Sequence, residues 1–308
     1  MAKCLVLGAN GFIGSHLVES LLAAGHNVRC FDRYSSETPD VSTPNAEIYK
    51  GDFLSIESLE GALEDIEYVF HFISTTNPFT AENDPLTDIE TNLKMSIKLF
   101  DLCAKKSIKK VIFASTGGSI YGDTDTETPI SEDTCPAPVS PYAIGKLSIE
   151  NYLRYFQRKH GLDYQVLRIS NPYGPGQNTS SGQGVVSIFL ENFNKGIPLT
   201  IYGDGSMVRD YIYISDLAEM IAKSFEKSTK NKVYNIGSGK GYTVNEIVET
   251  IESVTGLSAK VEHKETPSTF VNKIVLDSNR FLEEFEIRPK TDLRKGIEKT
   301  WQALKNSQ

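Results

Sequence analysis

Cys4-Leu5-Val6-Leu7-Gly8-Ala9-Asn10-Gly11-Phe12-Ile13-Gly14 decides the fold: a short apolar run enters a G-x-x-G-x-x-G loop, and an amphipathic stretch, Ile13–Ala24, starts inside it. Glycines let the backbone turn sharply and approach a phosphate closely. A helix that begins at such a loop points its free amides and positive dipole end at an anion. A glycine turn with no ligand is the plain alternative, but here the strand before and the helix after are both present. The next apolar run, Val28–Phe31, ends at Asp32, where a carboxylate meets an adenosine ribose hydroxyl. That carboxylate repels a 2′-phosphate, which favours NAD over NADP, although Arg33 stands beside it. Gly8, Gly11, Phe12, Ile13, Gly14 and Asp32 are therefore candidate cofactor contacts.

Moving outward, Tyr68–Phe72 and Val111–Ala114 are further strand-length runs, nearly all apolar, as strands covered on both faces require, and Tyr164–Ile169 reads as a later strand. Ile56–Leu63, Leu93–Lys105 and Tyr142–Lys159 alternate with them as helical patterns. Strand and helix in turn predict an α/β fold, a doubly wound parallel-sheet Rossmann domain with right-handed crossovers. A loop rich in Gly, Ser, Asn and Pro runs from Asn171 to about Gly184. Shorter elements follow: helices near Val185–Asn194, Asp216–Lys227, Val244–Thr255 and Leu293–Leu304, and a strand at Val233–Ile236. They predict a smaller α/β lobe facing the carboxyl ends of the sheet. We expect residues 1–170 plus about 207–241 in the Rossmann domain, and about 171–206 plus 242–308 in the smaller lobe.

The 308 residues can bury a large core, and a formal net charge of -8 argues against nucleic acid or an anionic membrane as partner. No run is long enough to span a bilayer, and the N-terminus reads as a first strand rather than a signal peptide. Cys4, Cys30, Cys103 and Cys135 form no metal spacing and no C-x-x-C pair, so no metal site is expected and the thiols read as reduced and cytoplasmic. Lys105-Lys106 and Lys109-Lys110 close a helix and open a strand, where cations suit the helix dipole and solvent.

Tyr142-Ala143-Ile144-Gly145-Lys146 puts a phenol and an ammonium on one helical face. A base is what the oxidation of a secondary alcohol needs. A free tyrosine titrates near pH ~10, so acting near neutrality requires about 4 kcal/mol of help; a lysine cation and a nicotinium ring both push that way. Tyr155 and Lys159 share the spacing, but Tyr142 opens its helix after a Pro-rich loop, whereas packing accounts better for Tyr155. Upstream lies a hydroxyl-rich segment, Ser115-Thr116-Gly117-Gly118-Ser119-Ile120-Tyr121-Gly122.

These motifs, in this order, resemble the extended short-chain dehydrogenase/reductase family, in particular its NAD-dependent nucleotide-sugar epimerases of the UDP-glucose 4-epimerase type. The resemblance covers nearly the whole chain and is loosest at 257–275. It implies that Asp52-Phe53 lies near the adenine, that Phe72-Ile73-Ser74 and Asn92 line the cofactor, and that Ser115, Tyr142 and Lys146 meet it too. It also implies a third catalytic hydroxyl, whose usual position is filled here by Gly117; Thr116 or Ser119 must serve, with Ser119 favoured slightly. Sugar 4,6-dehydratases carry Asp-Glu after the threonine where this chain has Gly117-Gly118, and the decarboxylases' glutamate is missing as well. Reversible oxidation at one carbon, the sugar C4 of a UDP-hexose or its N-acetyl form, remains as the implied reaction.

Arg168-Ile169-Ser170-Asn171-Pro172-Tyr173-Gly174 and Tyr202-Gly203-Asp204-Gly205-Ser206-Met207-Val208-Arg209-Asp210-Tyr211 resemble the family's diphosphate- and base-binding segments. They imply Asn171, Tyr202 and Arg209 as substrate contacts, Arg209 by forked hydrogen bonds. The simpler role for Arg209 is an ion pair with Asp210 or Asp216. The family's later arginine is absent, since Glu265-Thr266-Pro267-Ser268-Thr269-Phe270 holds none. A homodimer through Leu93–Ala104 and Tyr142–Gln157 is also implied. The rival readings are a nucleotide-sugar 4-keto reductase or dehydrogenase, and a dinucleotide-binding regulator without chemistry.

Overall fold

Seven parallel strands form the larger sheet of the computed structural model, which describes residues 1–34, 45–123, 128–267 and 270–306. The first half of the chain runs β1 (Lys3–Leu7), α1 (Phe12–Ala23), β2 (Asn27–Asp32), β3 (Glu47–Lys50), α2 (Ile56–Ala62), β4 (Tyr68–His71), α3 (Pro78–Asn83), α4 (Pro85–Asp88), α5 (Lys94–Lys105), β5 (Lys110–Thr116), α6 (Pro141–His160) and β6 (Asp163–Ile169). The second half runs β7 (Asn171–Tyr173), α7 (Val185–Lys195), β8 (Leu199–Tyr202), β9 (Val208–Tyr213), α8 (Ile214–Ser224), β10 (Val233–Ile236), β11 (Gly241–Thr243), α9 (Val244–Thr255), β12 (Val261–Lys264), β13 (Lys273–Ile274), α10 (Asn279–Phe285) and α11 (Leu293–Asn306).

The large sheet has the order β10-β6-β5-β4-β1-β2-β3. The chain steps outward one way from β1 and the other way from β4, so the crevice between their carboxyl ends is the switch point where ligands bind in such sheets. The apolar strands β1, β4 and β5 are buried on both faces. The edge strand β3 is largely exposed, and so lacks the apolar run that would have marked it. Leu17, Val18 and Leu21 of α1 pack with Leu217, Met220 and Ile221 of α8 on one face; Leu99, Phe100, Ile149 and Leu153 of α5 and α6 cover the other.

In the smaller lobe β9 pairs with β7, β11 and β13, and β8 pairs with β12. Its core gathers Tyr173, Phe189, Phe193, Ile247, Ile251, Ile297 and Trp301. β9 serves both cores, with Tyr211 and Tyr213 in the smaller and Ile212 in that of the large sheet, while Phe281 and Phe285 of α10 pack in the core of the large sheet beside Tyr234.

The helix carrying Tyr142 starts where it does because Ser140 caps it, accepting from the Ala143 amide at 3.4 Å, with Pro141 in the first turn. It stops at Gly161, whose φ of +74° reverses the chain. The helix expected from Leu93 is preceded by a π-helical turn, Ile89–Leu93, in which Asn92 is buried. The lysine cluster is fully paired: Lys105 with Asp101, Lys106 with Glu64, Lys109 with Glu67, and Lys110 with Asp163. Among the described residues no helix is long and apolar enough to cross a membrane.

Candidate active site

The glycine loop closes on backbone. A Cβ on Gly14 would lie 2.0 Å from the Gly8 carbonyl oxygen, and one on Gly8, which has φ +86°, would lie 2.8 Å from the Ile73 nitrogen. Gly11 donates its amide to the Gly8 carbonyl at 3.1 Å and stands at the N-cap of α1 without a side chain, leaving the first-turn amides open to an anion. The cradle therefore fits the pyrophosphate of a dinucleotide. Asp32 accepts from the Asn10 amide at 3.0 Å and the Arg33 amide at 2.8 Å, which holds its carboxylate at the loop's edge. Phe12 and Ile13 lie half-buried against the core of the large lobe.

The remaining cofactor candidates divide. Asp52 is exposed, its carboxylate accepting from the Leu54 amide, while the Phe53 ring is buried in the core against His71 and has only its main chain to offer a ligand. Phe72 and Ile73 are half-buried beside the glycine loop, and Ser74 is exposed and donates to the Thr76 carbonyl. Asn92 faces inward. Its Oδ1 accepts from the Thr75 amide at 2.9 Å, and its Nδ2 donates to Thr76 Oγ1 and Asp88 Oδ1, both at 2.8 Å. It shapes the loop after β4 rather than presenting its own amide. The Ser115 hydroxyl likewise turns away from the cleft and donates to Glu150.

Lys146 Nζ donates to the Ala114 carbonyl at 2.9 Å and sits 5.5 Å from the centre of the Tyr142 ring. Burial, with the Asp88 carboxylate adding to it, pushes the Tyr142 hydroxyl up to about 12. Burial also brings Lys146 down to about 8, against the pull of Asp88 and Glu150. The expected push comes from Lys146 and the nicotinium ring together; in the free chain both groups pay for desolvation and Asp88 opposes a phenolate, so the Tyr142 hydroxyl stands above its ordinary value. Asp88 is buried on α4, hydrogen-bonded by Thr76 and Asn92, with Oδ2 against Gly145, where a Cβ would come within 2.2 Å. Tyr155 is 48% exposed, its ring edge-on to those of Phe156 and Tyr152, with Lys159 over it.

Gly117 points away from the cleft. A Cβ there would meet Leu276 Cδ1 at 2.4 Å and the Arg168 carbonyl oxygen at 3.0 Å, inside the small core of Ile120, Tyr121, Ile130, Val271, Ile274 and Leu276. A serine at 117 has no room without repacking Leu276. Thr116 and Ser119 remain, half-buried and with their hydroxyls 3.3 Å apart. A Cβ on Gly118 would find Thr116 Oγ1 at 4.0 Å and Asn171 Oδ1 at 3.7 Å, so these polar groups converge on one space.

Asn171 donates Nδ2 to the Asp210 carbonyl at 2.9 Å, leaving Oδ1 towards that space. Tyr202 is exposed at the lobe's rim, its ring 5.4 Å from that of Phe270 and nearly edge-on. Arg209 pairs with neither aspartate. Its guanidinium donates to the carbonyls of Val208 at 2.9 Å, Asn272 at 3.3 Å and Val271 at 2.5 Å. Asp210 instead accepts from Ser238, Gly239 and Leu276, and Asp216 from Lys290 and Thr291. Three of the five guanidinium N–H groups are occupied, which leaves two for a ligand. In the arginine-free stretch Phe270 supplies an aromatic edge; Ser268 and Thr269 lie outside the described residues.

Residues 4–237 match the NAD dependent epimerase/dehydratase family. The chain is similar to a UDP-glucose 4-epimerase from Thermotoga maritima, solved with UDP-glucose: 36% identity, 99% of each chain covered, TM-score 0.94. It is also similar to a UDP-glucose 4-epimerase from Thermus thermophilus, solved with NAD, at 32% identity, covering 99% of this chain and 100% of that one, with TM-score 0.93. Among curated relatives, a dTDP-4-dehydro-6-deoxyglucose reductase from Escherichia coli is 33% identical over 98% of this chain and 97% of its own length.

Proposed function

The chain belongs to the NAD dependent epimerase/dehydratase family, and from that premise we propose how its own residues carry the family's chemistry. It is an NAD-dependent isomerase acting on a UDP-sugar, inverting the 4-hydroxyl of a UDP-hexose through a 4-keto sugar. The observation that carries this reading is that Lys146, on the helix of Tyr142, is anchored on the Ala114 carbonyl of β5, two residues before Thr116, whose hydroxyl converges with that of Ser119 and with Asn171 in a segment where Gly117-Gly118 supplies no acid or base for elimination.

When bound, NAD supplies the acceptor for hydride from C4 and the donor that returns it. Tyr142 takes the 4-hydroxyl proton and gives it back on the other face. The protonated Lys146, anchored on the Ala114 carbonyl, steadies the phenolate. Because burial and Asp88 hold the free Tyr142 hydroxyl up at about 12, the balance tips to phenolate only when further positive charge enters the cleft. Asn171, Tyr202 and Arg209 grip the nucleotide end, so that the keto sugar turns about its diphosphate without escaping. The third hydroxyl comes from Ser119, backed by Thr116 at 3.3 Å. Ser119→Ala is expected to lower kcat by about 10²–10³-fold, the range of a lost hydrogen-bond donor to a developing charge. Thr116→Val should cost less; a larger loss in that variant would transfer the role.

Two copies of the chain pair through α5 and α6, a reading supported by the apolar residues exposed along α6, Ile144 (51%), Tyr152 (39%) and Tyr155 (48%). Cys4, Cys30 and Cys103 are buried free thiols, with burial raising each, in keeping with a cytoplasmic protein.

Incubation with UDP-glucose, UDP-galactose and their N-acetylated forms, followed by NMR without added cofactor, tests the function. Interconversion of a pair is the expected result. Inertness towards all four would refute the substrate assignment. The similarity to a 4-keto-sugar reductase sets the second reading, and stoichiometric consumption of added NADH or NADPH with a 4-keto sugar would establish it.

A further inference from the structure

We propose that the buried pair Glu150–Arg168 is a positioning device that sets the distance from the hydroxyl-bearing segment 115–122 to Tyr142; this rests on the roles of Tyr142, Thr116 and Ser119 given above. Glu150 is 6% exposed and Arg168 5%, and the two form a fork: Arg168 Nε donates to Glu150 Oε1 at 3.2 Å and Nη2 to Oε2 at 2.7 Å. Glu150 stands one turn beyond Lys146 and two beyond Tyr142, on the inward face of α6.

Each partner then holds one end of the same segment. Ser115, where β5 ends, donates its hydroxyl to Glu150. Tyr121, at the segment's far end, accepts from Arg168 Nη1 at 2.9 Å and donates to Asn235 Oδ1 at 2.7 Å. Asn235 in turn donates Nδ2 to the Ile130 carbonyl at 2.8 Å, so the far end is fixed to the loop ahead of α6 as well. Thr116, Gly117, Gly118 and Ser119 span the interval between these two tethers. One carboxylate on the helix of Tyr142 and one guanidinium on β6 thereby set where the third hydroxyl stands.

Stability gives a poor account of such a pair. A buried ion pair can often be replaced by neutral groups of like volume with no loss, whereas removal of one partner strands the other charge. Its geometric consequence is specific, since displacement of a catalytic group by about 1 Å can cost on the order of 10²-fold in rate.

The test compares Glu150→Gln, Arg168→Met and the double variant, measuring melting temperature, affinity for UDP, and kcat and KM for the UDP-sugar. The single variants should melt earlier. The double variant should regain the parent's melting temperature and UDP affinity, yet keep kcat down by about 10²-fold with KM little changed. A double variant that recovers kcat together with its melting temperature would overturn the proposal, as would a loss confined to KM. Should the double variant not fold, Ser115→Ala and Tyr121→Phe each cut one tether and leave the ion pair intact. A fall in kcat in both, at unchanged KM, supports the proposal, and unchanged kcat in both overturns it. Tyr142→Phe run alongside separates the two ideas: full activity there removes the reading of the site, whatever the Glu150 variants do.

Discussion

Tyr142→Phe is expected to lower kcat by about 10²–10⁴-fold, the range a positioned acid–base group contributes, while UDP affinity, retained NAD and melting temperature stay near the parent's. The ring remains, so its packing beside Lys146 is kept; only the hydroxyl goes. Burial and Asp88 keep that hydroxyl neutral in the free protein, so its removal strands no charge and gives no reason for instability. The loss should fall on kcat and kcat/KM alike, because the proton transfer is made only in the transition state. Steady-state kinetics together with calorimetric binding of UDP separate the outcomes. Turnover within about threefold of the parent would mean that the proton leaves by another route, and the assignment of Tyr142 would fall. A large rise in KM at constant kcat would make it a binding residue instead.

The large sheet was legible because its strands are buried on both faces and must be apolar throughout, as β1 and β5 show. The edge strand β3 was not, since exposed positions carry no such constraint. Spacing put Tyr142 and Lys146 on one face, and they share it. It could not tell that Lys146 is buried and Tyr142 half-buried beside Asp88, so that desolvation and that carboxylate raise the Tyr142 hydroxyl in the free chain. Counting back along a motif located Gly117 but not the direction of its Cβ, and that direction, into Leu276, decides that no side chain from this position reaches the cleft.

Acidic residues were missed for a common reason. Carboxylates are ordinarily exposed, and what holds these two inside is tertiary: Thr76 and Asn92 fold around Asp88, and Ser115 and Arg168 of the neighbouring strands reach Glu150. For Glu150 a signal was available. It continues the Tyr142–Lys146 face by one more turn, so a helix face turned inward at the catalytic pair already pointed to an inward carboxylate beyond it. For Arg209 it is the simpler alternative, an ion pair with Asp210 or Asp216, that the structure does not show: β-strand geometry sends Asp210 to the other side, and the arginine takes carbonyls from the chain beside β13.

Gly14→Ala should empty the cofactor site, with NAD in the purified protein falling more than about tenfold and a stability loss of about 1–3 kcal/mol, as overpacking costs. The added methyl carbon would stand 2.0 Å from the Gly8 oxygen and 2.8 Å from the Gly8 carbon. Both are backbone atoms, so no rotamer relieves the clash; the loop must move, and with it the amides that face the pyrophosphate. Gly161→Ala is the informative control. Nothing lies within 4 Å of its Cβ position, and only its φ of +74° resists the change. That strain costs about 1–2 kcal/mol and lies at the far end of α6, so stability should fall comparably while NAD content stays whole. Similar destabilisation with opposite cofactor content isolates the contact at Gly14 from general loosening of the fold. If Gly14→Ala instead purified with full NAD, the loop would have to accommodate the methyl group without losing its grip. The close backbone packing of Gly8 and Gly14 would then not be what holds the dinucleotide.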